Sequence, residues 1–236
     1  MTPPLFLLDP LPSGDLLILD GDEGRHAARV KRIGPGEDVL VGDGHGAIAS
    51  CTVEAVAADR LTLRVHGRRT EPRPDPQLVV VQALPKGDRA ELTVELLTEL
   101  GVDEIVPWAA SRSIGQWRGT KSLAKWRRTA AESAKQSRRA WVPEVGDVAS
   151  TAEIVARAAG ALVLHESAPA ALADAGLPDS GEIVLIVGPE GGIADDEIAV
   201  LGEAGATPVR LGGPVLRTST AGAAALAALS LRIGRW

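Results

Sequence analysis

Apolar and polar residues alternate in short runs through the first 65 positions. The runs Leu16–Asp20, Asp38–Val41, Ile48–Val56 and Arg60–Val65 have the period of half-buried strands. One segment, Glu23–Ile33, has helical spacing instead, and Gly34-Pro35-Gly36 stops it. Short strands around a single helix predict a small β-barrel of about 70 residues. The stretch RRTEPRPDPQ at 68–77 ends this pattern, because three prolines in five residues cannot sit inside a helix or a central strand.

Beyond it, largely apolar strands alternate with helices. Strands are predicted at Leu78–Ala83, from Ile105–Val106, and at Ala161–Leu164, Glu182–Val187 and Pro208–Leu211. Helices are predicted at Arg89–Leu100, Leu123–Arg139, Thr151–Ala159, Asp195–Gly205 and Ala221 to about Ile233. Strands without polar alternation, separated by helices, imply a mainly parallel sheet covered on both faces. The chain therefore divides into a barrel at 1–70, a linker at 71–77 and an α/β domain at 78–236. The final helix carries no charge from Ala221 to Leu231 and is apolar all round, so its outer face needs cover. A homodimer would provide it.

Two strand ends carry candidate chemistry. Residues 183–197 read IVLIVGPEGGIADDE, a strand running into a Gly-Pro-Glu-Gly-Gly loop and then a helix start with Asp195 as its N-cap. Leu211–Ala221, LGGPVLRTSTA, repeats that logic, and Leu164-His165-Glu166-Ser167 is a weaker third wall. None matches a phosphate-cradling or dinucleotide fingerprint. The loops offer backbone amides, carbonyls and aliphatic side chains, which suits an adenosine-like ligand better than a polyphosphate.

The overall charge of −6 disfavours a polyanion partner, but the average misleads. Between Arg112 and Trp141, nine basic residues face one acid, Glu132, giving a net +8. Arg25, His26, Arg29, Lys31 and Arg32 form a second basic group in the barrel, either a solvated face or a contact surface. Among the tryptophans of the basic segment, Trp126 suits core packing, while Trp117 or Trp141 could stack on bases. Cys51 is the only cysteine, which excludes an intramolecular disulfide and fits a reducing, cytoplasmic setting. The four histidines lack ligand spacing, so no metal is expected. No signal peptide or membrane span is read from the chain.

These loops, taken together, resemble a known family. GPEGG followed by ADDEI, then LG-x-x-VLRTSTA, is similar to the RsmE family of 16S rRNA (uracil-N3)-methyltransferases, within the SPOUT superfamily. The likeness extends to HAARVKRIGPGEDV, LPKGDRAELTVELLTELGVDEIVP and ESAKQSRRAWVPEV. It implies a PUA-like N-terminal domain, a trefoil-knotted methyltransferase domain, S-adenosyl-L-methionine as cofactor, and a homodimer acting on 16S rRNA, on the 30S subunit.

It further implies a cofactor site built from Leu164, His165, Val187, Gly188, Pro189, Glu190, Gly191, Gly192, Leu211, Gly212, Val215, Leu216, Arg217, Thr218 and Thr220. Glu99, Arg112, Glu132, Gln136, Arg139 and Pro143 match other polar and turn positions of the family. Two positions depart from it: Leu96 where many members have lysine, and Arg138 where glycine is common.

Methylation at uracil N3 requires loss of a proton and alignment of the base with a methyl donor. Arg112 and Arg217 are the candidate cations for the uracil anion, and Glu190 is a candidate proton acceptor. Each has a plainer reading: Arg217 as a brace, Arg112 as a phosphate contact, Glu190 as a partner of loop amides. The candidate RNA surface comprises Arg25, Arg29, Lys31, Arg32, Lys86, Arg112, Lys125, Arg128, Glu132, Gln136, Arg138 and Arg139. Glu132, Gln136 and Arg139 share one helical face, or form a network that stiffens the helix. Two other functions compete: methylation at another RNA position such as a ribose 2′-OH, and RNA binding without catalysis.

Overall fold

The computed structural model describes residues 2–87 and 89–236, so Asp88 of the LPKGDRAE motif lies outside the described residues. The chain forms two compact units: Met1–Arg73 with Ala131–Val142, and Pro74–Ala130 with Pro143–Trp236.

The first unit is built on a five-stranded sheet of β1 (Leu5–Leu7), β2 (Leu16–Leu19), β3 (Asp38–Gly42), β4 (Ala47–Ala57) and β5 (Arg60–Thr70), in the order β1-β3-β4-β5-β2. Phe6, Leu17, Leu19, Val39, Val41, Leu61 and Leu63 alternate inward to fill its core. The β1 strand was not expected; it adds to the sheet parallel to β3, with Leu5 opposite Leu40. The β5 strand outruns its predicted end at Val65, because Gly67–Thr70 continue to pair with Ala47–Ser50. The first residues of the proline-rich stretch are thus strand, and the prolines begin only beyond it.

The predicted helix at Glu23–Ile33 is α1 (Gly21–Arg25) followed by a π-helical turn at His26–Val30. Gly24 lets α1 lie against the β4–β5 turn, since a Cβ there would sit 2.2 Å from the Asp59 carbonyl oxygen.

Residues Ala131–Val142, expected with the C-terminal domain, pack in the first unit. The Trp141 indole donates to the Glu71 carbonyl at 3.0 Å, and the Val142 and Gly46 amides donate to Gly44 and Ala140 at 2.9 and 3.0 Å. Lys135, nearly enclosed, pairs with Glu23 at 2.6 Å and Glu132 at 2.8 Å. Burial opposes its charge, but the hydrogen bonds it donates to Glu132 and Glu23 outweigh that and hold its pKa above the ordinary lysine value.

The second unit has a six-stranded, wholly parallel sheet. Its strands are β6 (Gln77–Ala83), β7 (Glu104–Trp108), β8 (Glu144–Val145), β9 (Leu162–Leu164), β10 (Glu182–Val187) and β11 (Thr207–Val209), in the order β11-β9-β10-β6-β7-β8. Leu78, Val80, Leu185 and Val187 point to one face, under α2 (Arg89–Glu99) and α6 (Thr218–Arg232). Val79, Val81, Val184 and Ile186 point to the other, with residues of α4 (Thr151–Val155) and α5 (Asp195–Glu203). This two-sided burial explains why the strands read as unbroken apolar runs.

The basic helix α3 (Thr120–Gln136) contributes its beginning to the second unit and its end to the first. Among the described residues, no helix is long and apolar enough to cross a membrane, and no group of three or more His, Cys, Asp or Glu could hold a metal ion.

Candidate active site

The segments that follow β9, β10 and β11 meet at the carboxyl edge of the parallel sheet, where open α/β sheets bind ligands. They enclose a cavity of 540 Å³. Its lining includes Leu164, His165, Val187, Gly188, Pro189, Glu190, Gly191, Gly192, Leu211, Gly212, Val215, Leu216, Arg217 and Thr218. Of the expected cofactor residues only Thr220 is outside that lining. Its hydroxyl instead donates to the Arg217 carbonyl at 3.1 Å. Glu166, Ile193, Arg210, Gly213, Pro214 and Ala221 also line the cavity. All six lie in segments the sequence already marked: Glu166 in 164–167, Ile193 in 183–197, Arg210 in the strand 208–211, and Gly213, Pro214 and Ala221 in 211–221.

Close packing sets the shape of the first loop. A Cβ on Gly188 would lie 2.4 Å from the Ile193 side chain, so the loop folds over this isoleucine only with glycine there. Gly192 has φ +75° and its amide donates to the Pro189 carbonyl at 2.9 Å, closing the turn. The expected N-cap Asp195 is instead the first residue of α5, and Ala194 occupies the cap position. With no side-chain acceptor at Ala194, the buried Glu197 takes over. Its carboxylate accepts from the Ala194 amide at 3.3 Å, the Ser111 amide at 2.9 Å, the Ser111 hydroxyl at 3.0 Å and the Thr151 hydroxyl at 2.8 Å. Sequence reading placed Glu197 merely in a helix first turn. Its three partners lie 46 to 86 residues away from or 3 residues before it, so no local signal could reveal the junction.

Each catalytic candidate has a definite place. Arg112 follows Ser111, and its guanidinium lies 3.5 Å from the carbonyls of Gly191 and Ile193, bracing the first loop. It is not in the cavity lining. One Glu190 oxygen accepts from the Lys86 amide at 3.2 Å. Arg217 is the N-cap residue of α6; its carbonyl accepts from the amides of Thr220 and Ala221, both at 2.8 Å. Its exposed side chain makes no hydrogen bond or ion pair among the described residues and belongs to the lining. Val215 and Leu216 remain 75% and 40% exposed there, leaving aliphatic surface for a ligand to cover.

The basic positions divide sharply. In the first unit Arg25 pairs with Asp22, and Arg29 with Asp59, so both charges are met locally. Lys31, Glu132, Gln136 and Arg138 line a separate 530 Å³ cavity, while Arg32 is exposed and Arg139 half-buried. In the second unit Lys125 pairs with Glu91, and Lys86 and Arg128 are exposed. Trp126 is buried and Trp117 packs edge-on against it at 5.5 Å. Leu96 sits half-buried on α2 and Glu99 is exposed at its end.

Residues 71–230 match the family described as the RNA methyltransferase domain, and residues 19–65 match the RNA methyltransferase PUA domain. The chain is 48% identical to the ribosomal RNA small subunit methyltransferase E of Mycobacterium bovis, with 98% of this chain and 93% of that protein covered. The protein of the same name from Bacillus subtilis is 31% identical, over 90% of this chain and 88% of its own. Among solved structures, that of ribosomal RNA small subunit methyltransferase E from Neisseria gonorrhoeae bound to S-adenosyl methionine superposes with a TM-score of 0.89. It is 30% identical and 98% of each chain is covered.

Proposed function

This chain belongs to the RNA methyltransferase family that includes ribosomal RNA small subunit methyltransferase E, and from that membership we propose that it methylates N3 of one uridine in 16S rRNA. The observation that carries this reading is the cavity bounded by the two glycine-rich loops at the carboxyl edge of the sheet.

The residues present fit S-adenosylmethionine. A 540 Å³ cavity is of the size that takes a small cofactor. Its glycine backbones at 188, 191, 192, 212 and 213 leave amides and carbonyls open to an adenosine, and Val215 and Leu216 offer aliphatic cover. Gly188–Gly192 and Leu211–Thr218 would hold it, with Leu164 and His165 at the border. When bound, it supplies an electrophilic methyl group on a sulfonium.

Everything else falls to the protein. The target uracil must leave its stack and present N3. An arginine stays protonated and stabilises the uracil anion without consuming the N3 proton. Arg217 suits that role because its guanidinium is uncommitted on the cavity lining, whereas Arg112 is engaged with loop carbonyls and acts by holding the first loop. Glu190 spends one oxygen on the Lys86 amide, which leaves the other to accept the N3 proton.

Two further elements belong to this reading. The substrate is the assembled 30S subunit, which sets the site of action in the cytoplasm. The working form is a homodimer, a reading that rests on the family resemblance and the uncharged 221–231 stretch of α6, of which Leu231 is the exposed residue.

The test is to incubate the protein and labelled S-adenosylmethionine with 30S subunits and, separately, with free 16S rRNA, then identify the labelled nucleoside by mass spectrometry. N3-methyluridine from the 30S reaction is expected. A ribose-methylated nucleoside would assign the chemistry to the 2′-OH, and absence of label in both reactions would overturn the enzymatic reading.

A further inference from the structure

A cavity of 620 Å³, separate from the one described above, lies in the second unit between the turn after β6, the start of α2 and the segment leading into α3. Its shape depends on one glycine. A Cβ on Gly115 would sit 2.5 Å from the Pro85 carbonyl oxygen and 2.7 Å from that of Leu84, so the 114–118 segment lies directly on the 84–85 backbone.

The lining combines two kinds of surface. Trp117 and Ile114 supply an apolar wall, with Ile114 56% exposed. Trp117 is fixed in orientation by its edge-on contact with Trp126 and by its indole N–H, which donates to Asp147 at 3.0 Å. Lys86, Arg118, Lys121 and Lys125 supply the charge. Lys125 is paired with Glu91, but the side chains of Lys86, Arg118 and Lys121 meet no carboxylate among the described residues. The first turn of α3, which carries Lys121, holds no acid. A preset indole beside uncompensated cations is the arrangement that binds single-stranded nucleic acid, with a base on the ring and phosphates on the rim.

This cavity adjoins the candidate active site. Lys86 lines it, and the Lys86 amide donates to Glu190, which lines the other cavity. We propose that the Lys86–Trp117–Lys121 cavity is a nucleotide subsite that holds a single-stranded RNA residue flanking the methylated base. This rests on the methyltransferase reading above. Its consequence is specific: a target base reaches the methyl donor only from a strand whose neighbouring nucleotide is already held on Trp117.

The test pairs Arg118→Ala with Lys121→Ala, both on exposed side chains, in the full chain. The double variant should bind S-adenosylmethionine by calorimetry as the wild type does. Its KM for the small-subunit RNA substrate should rise about tenfold, and the magnitude of the slope of log affinity against log salt for a synthetic single-stranded oligoribonucleotide should fall by about 1.4. The same oligonucleotide carrying 4-thiouridine should cross-link to the peptide spanning 114–126. Unchanged KM and salt slope, or cross-links confined to other peptides, would overturn the proposal. So would displacement of the oligonucleotide by a poly-glutamate of equal charge but not by unlabelled RNA, since that would mark an acidic-protein surface. Failure of the enzymatic reading is separable: wild-type protein would then transfer no methyl group, while the direct RNA measurements still report on the cavity.

Discussion

The carboxylate of Glu197 accepts both the amide and the hydroxyl of Ser111, at 2.9 and 3.0 Å, and so fixes the residue next to Arg112. Through the Ala194 amide the same carboxylate holds the end of the Gly188–Ile193 loop. The arginine brace and the candidate cofactor loop therefore share one buried anchor. Glu197→Ala should leave several donors without an acceptor and destabilise the protein by about 3 kcal/mol. Glu197→Gln keeps the shape but turns one acceptor into a donor. It should retain the fold by circular dichroism while weakening S-adenosylmethionine binding about tenfold. Wild-type affinity in Glu197→Gln would show that the loop does not depend on this anchor.

The proposed role of Arg217 is on the uracil, and its side chain takes no part in capping α6. Only its carbonyl caps α6, and alanine retains that carbonyl. Arg217→Ala should therefore keep its thermal midpoint and its oligomeric state by sedimentation, while turnover falls about 100-fold or more. Near-normal turnover would remove Arg217 from the mechanism.

Arg138 adopts φ +56° just past the end of α3, where the Arg139 amide donates back to the Ala134 carbonyl at 2.9 Å. That is a left-handed helix-terminating position, which glycine fills without steric cost. The glycine common here in the family thus has a backbone reason, and the arginine is tolerated with two bonds to the carbonyls of Pro3 and Thr2 at 3.2 and 3.4 Å. Arg138→Gly should stabilise the protein by about 0.5 kcal/mol in denaturant titration. A loss of 1 kcal/mol or more would mean that those two bonds dominate over strain.

Lys135 sets an alkaline limit. Its pKa is raised in the folded state, so its stabilising contribution is fully present below the unfolded lysine value, about 10.4, and is lost as pH rises through the higher folded value. Cys51 acts in the same direction, because burial pushes its thiol up to about 11 and folding disfavours the thiolate. Stability measured between pH 8 and 11 should fall with pH. Lys135→Met, which strands Glu23 and Glu132, should be less stable at neutral pH and should show a shallower fall above pH 10. An identical slope in wild type and variant would assign the alkaline loss elsewhere.

The sequence by itself determined what depends on neighbours along the chain. Unbroken apolar runs such as Leu78–Val81 and Ile183–Val187 specified a two-sided parallel sheet, because strands buried on both faces can dispense with polar alternation. The two glycine-rich loops were legible because glycine and proline declare backbone shape locally. Lone charges were less legible: the exposed Arg25, Arg29 and Lys125 each pair with a carboxylate that the sequence did not single out.

Tertiary structure alone decided what depends on distant residues. It packed 131–142 in the first unit, because Lys135 and Trp141 find their partners at Glu23 and Glu71. It recruited Glu197 to Ser111 and Thr151, and set Gly115 against the carbonyls of residues 84 and 85. Burial and hydrogen bonding at these points are settled by segments far apart in the chain, and a local pattern carries no record of such meetings.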